Sequence, residues 1–157
     1  MPKILDIITN PDKILREKSA NINSDELNGK GLKALFDDMA FTMLKRDGVG
    51  LAAPQIGKNI RLIVVNTKDG PIDMVNPVFI KKSWSKEWGE EGCLSVPNTF
   101  GKVRRHKKIT CTYLDGNGQK KKIEAKGFFA RIIQHEIDHL DGILFIDKAK
   151  DLKKTKS

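Results

Sequence analysis

The segment Gly127-Phe128-Phe129-Ala130-Arg131-Ile132-Ile133-Gln134-His135-Glu136-Ile137-Asp138-His139-Leu140 carries the clearest helical pattern of the chain. At about 100° per residue, Phe128, Ile132, His135 and His139 project into one narrow sector with Phe129, Glu136 and Leu140 beside it, while Arg131, Gln134, Asp138 and Asp141 lie on the other side. A helix divided in this way packs its apolar side on a core and leaves its polar side to water. The core it needs lies upstream. From Arg61 the texture is β-type: Leu62–Val65, Asp73–Val75 and Val78–Ile80, punctuated by Lys68-Asp69-Gly70-Pro71 and Asn76-Pro77, predict an antiparallel meander. Ile109–Tyr113, joined through Asp115-Gly116-Asn117-Gly118 to a strand around Lys121–Ala125, predicts a hairpin, with Cys111 a small buried hydrophobe between Ile109 and Tyr113. Further upstream a short helical stretch follows Asn10-Pro11-Asp12 to about Lys18. Ser24-Asp25-Glu26 then offers caps for an amphipathic helix whose stripe, Leu32, Leu35, Phe36, Met39 and Met43, reads as core and ends near Asp47-Gly48. Helices, then strands, then a helix predict an α+β fold and argue against alternating βαβ units.

The chain has 157 residues, 39% hydrophobic and 31% charged, which suits one compact domain with a real core. No repeat or low-complexity linker divides it, so the expected organisation is one domain over residues 1–147 and a basic tail over 148–157 that frays. The 29 Lys+Arg against 20 Asp+Glu leave a formal charge of +9, which favours an acidic partner such as nucleic acid and says nothing of fold. The longest aliphatic run is Leu62–Val65, and Met1-Pro2-Lys3-Ile4-Leu5-Asp6 meets an acid early, so no transmembrane helix, signal peptide or membrane role is expected. Two cysteines, Cys93 and Cys111, give no disulfide framework, and a cytoplasmic setting is the default.

On the last helix, His135-Glu136-Ile137-Asp138-His139 is an H-E-x-x-H motif. Residues four apart are neighbours on one face, so the two imidazoles can share a metal ion. They share the apolar side with Glu136, where an uncompensated carboxylate costs roughly several kcal/mol. A metal ion and a water beside Glu136 supply a reason for that placement. The alternative is two core histidines satisfied by carbonyls and a glutamate paired to a lysine. A catalytic metal site usually takes three protein ligands, and Cys93 in Glu91-Gly92-Cys93-Leu94-Ser95 is the candidate third, since a thiolate suits iron(II) or zinc. Alone it reads as a buried thiol. The third segment, Gly48-Val49-Gly50-Leu51-Ala52-Ala53-Pro54-Gln55-Ile56-Gly57, has small residues that permit a ligand to lie extended, and Gln55 offers an amide donor. No Gly-Lys-Ser/Thr follows, so it is not a phosphate loop.

In their order, Gly-Val-Gly-Leu-Ala-Ala-Pro-Gln, Glu-Gly-Cys-Leu-Ser and Gln-His-Glu-Ile-Asp-His closely resemble the three signature motifs of the peptide deformylases, and the resemblance extends loosely from Asn10-Pro11 to about Asp147. It implies an α+β fold with antiparallel β-sheets surrounding a central metal-binding helix. It also implies a hydrolase that removes the N-formyl group from the N-terminal formyl-methionine of newly made polypeptides, releasing formate. By the same resemblance, Cys93, His135 and His139 hold one divalent metal, physiologically often iron(II), with zinc, nickel or cobalt in purified protein. Glu136 is then the general acid/base, Gln55 and the Leu94 backbone N–H steady the oxyanion, and Gly50 hydrogen-bonds the substrate backbone. Val49, Phe128 and Ile132 are candidates for an apolar methionine pocket, or else plain core.

Two departures stand out. Many bacterial members carry an arginine near the position of Phe100, and many end in a long C-terminal helix that docks on the ribosome, whereas this sequence stops soon after the catalytic helix. Ribosome contact is therefore expected only through a basic surface. Two rival readings compete. A zincin-like endopeptidase shares H-E-x-x-H but usually takes a downstream third ligand, and no His follows His139. A nucleic-acid-binding module would use Lys102, Arg104, Arg105, Lys107 and Lys108 with Lys120–Lys122, although aromatics there are sparse and a solvated basic face with Arg104 or Arg105 paired to Glu91 is the plainer account.

Overall fold

The computed structural model describes residues 1–27 and 29–155. Helix α1 spans Lys30–Lys45 and helix α2 spans Gly127–Leu140. The strands are β1 (Gly50–Ala52), β2 (Leu62–Thr67), β3 (Gly70–Lys82), β4 (Lys86–Cys93), β5 (Val96–His106), β6 (Lys108–Leu114), β7 (Lys120–Lys126) and β8 (Lys150–Lys154). They form a five-stranded sheet in the order β1-β2-β3-β6-β7 and a three-stranded sheet in the order β4-β5-β8, every pairing antiparallel.

Strand β2 shows why the layers stack as they do. Leu62, Ile63, Val64 and Val65 are all fully buried. Ile63 and Val65 pack with Ala130, Ile133, Ile137 and Leu140 of α2, and Leu62 and Val64 pack with Met39 and Met43 of α1. An unbroken aliphatic run is the pattern of a strand covered on both faces, so the two helices lie on opposite sides of the five-stranded sheet. The other side of α2 meets the three-stranded sheet, where the Arg131 guanidinium donates to the Glu87 and Val103 carbonyls, each at 2.8 Å. The helix is thus central, with every residue from Ala130 to Ile137 buried. A third apolar cluster of Leu15, Val96, Val103, Leu144 and Phe145 seals the N-terminal segment against β5 and the turn after α2.

The expected hairpin β6–β7 and the expected extent of α2 are found, and Met39 and Met43 are fully buried while Leu32, Leu35 and Phe36 are half-buried. Elsewhere the structure differs. The helical stretch after Asp12 is a 3-10 turn, Lys13–Arg16, because Asp12 Oδ1 accepts from the Ile14 N–H and Glu17 is already extended. Ser24–Glu26 is a separate 3-10 turn closed by Leu27 N–H to the Ser24 carbonyl, so it does not cap α1, which starts behind Gly29. Asp73–Val75 and Val78–Ile80 are one strand, β3. Asn76-Pro77 is a bulge within it, where proline's missing N–H is tolerated and Asn76 bonds both backbone groups of Ile22, at 2.8 and 2.9 Å. The end expected to fray forms β8 as far as Lys154, pairing with Thr99, Phe100 and Lys102; Lys156 and Ser157 lie outside the described residues. Among the described residues no helix is long and apolar enough to cross a membrane.

Candidate metal centre and active site

Helix α2, strand β1 and the turn between β4 and β5 bring the three motifs to one cleft of about 550 Å³. Cys93, His135 and His139 present ligand atoms within 4.8 Å of one another, and Cys93 Sγ stands 3.3 Å from His139 Nε2. Typical metal–sulfur and metal–nitrogen bonds in a tetrahedron put such atoms about 3.6 Å apart, so the spacing fits a small divalent cation. His135 donates from Nδ1 to Glu91 Oε1 at 2.8 Å, which leaves Nε2 for a metal. His139 is 1% exposed and its Nδ1 has no partner among the described residues. The alternative of histidines satisfied by carbonyls is not what the structure shows.

Glu91 is the hub of the centre. Arg105 donates to both of its oxygens, each at 2.9 Å, and Arg131 adds a bond of 2.8 Å. Arg105 also meets Asp138 at 2.5 Å. Burial opposes the Glu91 charge, but the bonds from Arg105 and His135 outweigh it and hold the carboxyl well below the usual range. Arg131 reaches Glu91 across Gly89, where a Cβ would stand 2.7 Å from the guanidinium carbon. Only glycine leaves that passage open.

Arg131 and Gln134 were expected on a solvent-facing side of α2. Both are buried, because the three-stranded sheet covers that side and Gln134 bonds both backbone groups of His106. The basic run Lys102–Lys108 is likewise not one surface. Alternation along β5 sends Lys102 and Arg104 outward and Arg105 inward, so the expected Arg105–Glu91 pair exists inside the protein.

Glu136 is 4% exposed and its Oε1 has no hydrogen-bond partner among the described residues. Burial pushes its pKa up to about 7. No lysine pairs with it among the described residues. A Cβ on Gly50 would lie 2.5 Å from Glu136 Oε2, so β1 passes the carboxylate at a distance that a side chain at that position would obstruct. At His135, burial disfavours the cation, yet hydrogen bonds to Cys93 and Glu91 prevail and raise its pKa to about 10. At His139 burial, then the neighbouring His135, pushes the pKa well below the ordinary value, which keeps its lone pair available. The two imidazoles are thus pushed in opposite directions, His135 towards the cation by Cys93 and Glu91 and His139 towards the neutral ring by burial.

Gln55 is 2% exposed and fixed at both ends of its amide. Oε1 accepts from Ala52 N–H at 2.9 Å, and Nε2 donates to Ser95 Oγ at 3.0 Å and points at Cys93 Sγ at 3.5 Å. Leu94 lines the same cleft, as do Val49, Phe128 and Ile132. Val49 and Phe128 are 44% and 63% exposed, too open to be plain core, and Ile132 is buried beneath them at 6%. The residues that sequence reasoning missed are Arg131 as a second support of Glu91 and Ser95 as the partner of Gln55; the Arg105–Glu91 pair was expected, but on a solvated face and not in the interior. The signal for Arg105 was its period-two spacing from Val103.

An α+β fold whose buried H-E-x-x-H helix meets a hairpin cysteine beside an unpaired glutamate defines a class of metal-dependent hydrolase. Residues 4–155 match the family model described as polypeptide deformylase. A peptide deformylase of Symbiobacterium thermophilum is 46% identical over 154 residues, covering 96% of this chain and 69% of its own. A class I type b peptide deformylase of Acinetobacter baumannii superposes with a TM-score of 0.91 at 41% identity, over 93% of this chain and 99% of that one. The same enzyme with Met-Ala-Ser bound gives 0.90 at 39%, over 94% and 99%. The chain belongs to the polypeptide deformylase family, metal-dependent enzymes that remove the N-formyl group from nascent peptides. This membership displaces the endopeptidase reading, and with it a binding module as the chain's main function.

Proposed function

We propose that residues 1–147 form a catalytic unit in which Cys93, His135 and His139 hold one divalent metal and Glu136 moves the proton, acting on N-formylmethionyl peptides. The observation that carries this reading is the buried, unpartnered Glu136 oxygen beside the Cys/His/His set. When bound, the metal supplies Lewis acidity and brings the pKa of water from about 15.7 towards neutrality. Glu136 takes the proton of the attacking water at Oε1. With a pKa of about 7 it can hold that proton and return it to the leaving amine. Attack on the formyl carbon places negative charge on the formyl oxygen, which the Gln55 amide and the Leu94 N–H stabilise. One such preorganised donor is worth about 3–4 kcal/mol. The C–N bond then breaks, leaving formate and a free N-terminal amine. Among the described residues strand β1 pairs on one side only, so Gly50 has an edge for the backbone of an extended peptide, and Val49, Phe128 and Ile132 receive the methionine side chain.

A thiolate with two imidazoles suits iron(II), which we assign as the native metal, with zinc, nickel or cobalt replacing it in purified protein. Cys93 is kept as a ligand, Cys111 is buried, and neither is in a disulfide, which suits the cytoplasm. We assign ribosome contact to the exposed Lys102 and Arg104 with the lysines of β8, an outward face of the three-stranded sheet. Co-sedimentation that weakens with salt supports that contact, and its absence at low salt removes it. The test of the main reading is formate release from a formyl-Met dipeptide by protein prepared anaerobically, with its metal content measured. Cleavage of an unblocked peptide without formate release would overturn it.

A further inference from the structure

The lysines that the hydrolytic site leaves unused converge on one rigid tip. Two turns, Ser83–Ser85 between β3 and β4 and Lys107 between β5 and β6, are tied together by several bonds. Ser83 N–H donates to the Lys108 carbonyl at 2.9 Å and Lys107 N–H to the Ser85 carbonyl at 3.1 Å. Lys108 N–H donates to Ser83 Oγ at 3.0 Å, and His106 Nδ1 to the Ser83 carbonyl at 2.6 Å. At the end of this braced tip Trp84 is 99% exposed. Water-exposed indoles are uncommon, and one held on so well-bonded a turn is presented rather than left over.

Beside the tip runs a second groove of about 470 Å³, lined by Lys81, Lys108 and Lys126, the hydroxyl residues Ser83 and Thr110, and Glu124. Among the described residues none of these lysines, nor Lys82, Lys86 or Lys107, is in an ion pair. None of the groove's residues lines the catalytic cleft.

We propose that this tip and groove bind single-stranded RNA, a base stacking on Trp84 while phosphates follow Lys81, Lys108 and Lys126. A positively charged groove beside an exposed aromatic ring is the arrangement by which proteins hold unpaired strands without reading sequence. Glu124 repels phosphate but accepts a hydrogen bond from a 2′-hydroxyl, which favours RNA over DNA. A second copy of the chain would bring the same lysines against these and be repelled. A membrane anchor wants several apolar groups on a convex tip, whereas here the cations line a concavity. The proposal does not rest on the hydrolytic reading, and occupancy of the groove leaves the cleft open.

The test uses the Trp88→Phe protein, in which Trp84 is the sole tryptophan, titrated with an oligouridylate of about ten nucleotides. The expected result is quenched emission and saturable binding at physiological salt. Trp84→Ala in the full chain weakens RNA binding by about tenfold and leaves heparin binding unchanged. Joint Lys81→Gln, Lys108→Gln and Lys126→Gln changes lower the salt slope by about two units. Unchanged formyl-dipeptide turnover in these variants shows that they are folded. Equal RNA affinity for Trp84→Ala, an equal loss of heparin binding, tighter binding to the matching oligodeoxynucleotide, or preference for phosphatidylserine vesicles would each overturn the proposal.

Discussion

Arg105 and Lys107 stand two residues apart and carry the same charge, yet one is 4% exposed and paired to two carboxylates, and the other is exposed and in no ion pair among the described residues. The difference separates two uses of positive charge in this protein. In the interior, Arg105 and Arg131 are tolerated because Glu91 meets both, and Glu91 in turn orients His135. At the tip, the lysines make no ion pair among the described residues and are available to something outside the molecule. Buried charge here serves geometry, and exposed charge serves encounter.

The comparison breaks most visibly at Glu91. Glu91→Gln leaves two buried guanidiniums facing a neutral amide, and we expect a loss of about 3–5 kcal/mol in urea unfolding. A metal affinity about 10–100-fold weaker by titration should accompany it, because His135 loses its orienting carboxylate. Since the Glu91 carboxyl is held below its ordinary pKa, its contribution is complete at neutral pH, declines once pH drops below the ordinary carboxylate range and is gone below the depressed value. Wild-type stability in this variant would mean that the ion network does not hold the centre.

Gln55→Leu keeps the side chain's size and removes its donor. We expect kcat to fall by about a hundredfold and KM to change much less, as for an interaction made in the transition state. A raised KM at constant kcat would make Gln55 a ground-state binder. Gly50→Ala should be milder in its cause, displacing the Glu136 carboxylate without touching a ligand. Metal content should stay normal while turnover drops by about tenfold to a hundredfold. At the far end of the scale, Lys107→Gln with Lys108→Gln should shift stability by less than about 0.5 kcal/mol and leave dipeptide turnover alone. A larger loss would show that the tip's charges are structural after all.

The helical parts of this contrast were legible in the sequence, and much of the rest was not. Helix α2 could be read because a 3.6-residue pattern with H-E-x-x-H fixes its phase, and the hairpin β6–β7 because Asp115–Gly118 marks the turn. The candidate metal ligands and the cleft residues were named from the motifs, and the structure brings them together. Strands β4 and β5 were missed because Lys86–Cys93 and Val96–His106 alternate charged residues and glycine with few β-branched side chains. That omission hid the second cover on α2. Without it Arg131 and Gln134 belonged on the wet side of the helix, and the Glu91 network could not be seen. Asn76-Pro77 misled in the opposite direction, since a proline in a bulge and a proline in a turn look alike until the partner strand is known.

The central claim is that the metal is held by one set of residues and the proton is moved by another. Its most direct test is Glu136→Ala, with metal content and formate release measured on the same preparation beside Cys93→Ala. Glu136→Ala should keep its metal while formate release falls at least about a hundredfold, whereas Cys93→Ala should lose the metal itself. Full activity in Glu136→Ala, or metal lost in step with activity, would contradict it.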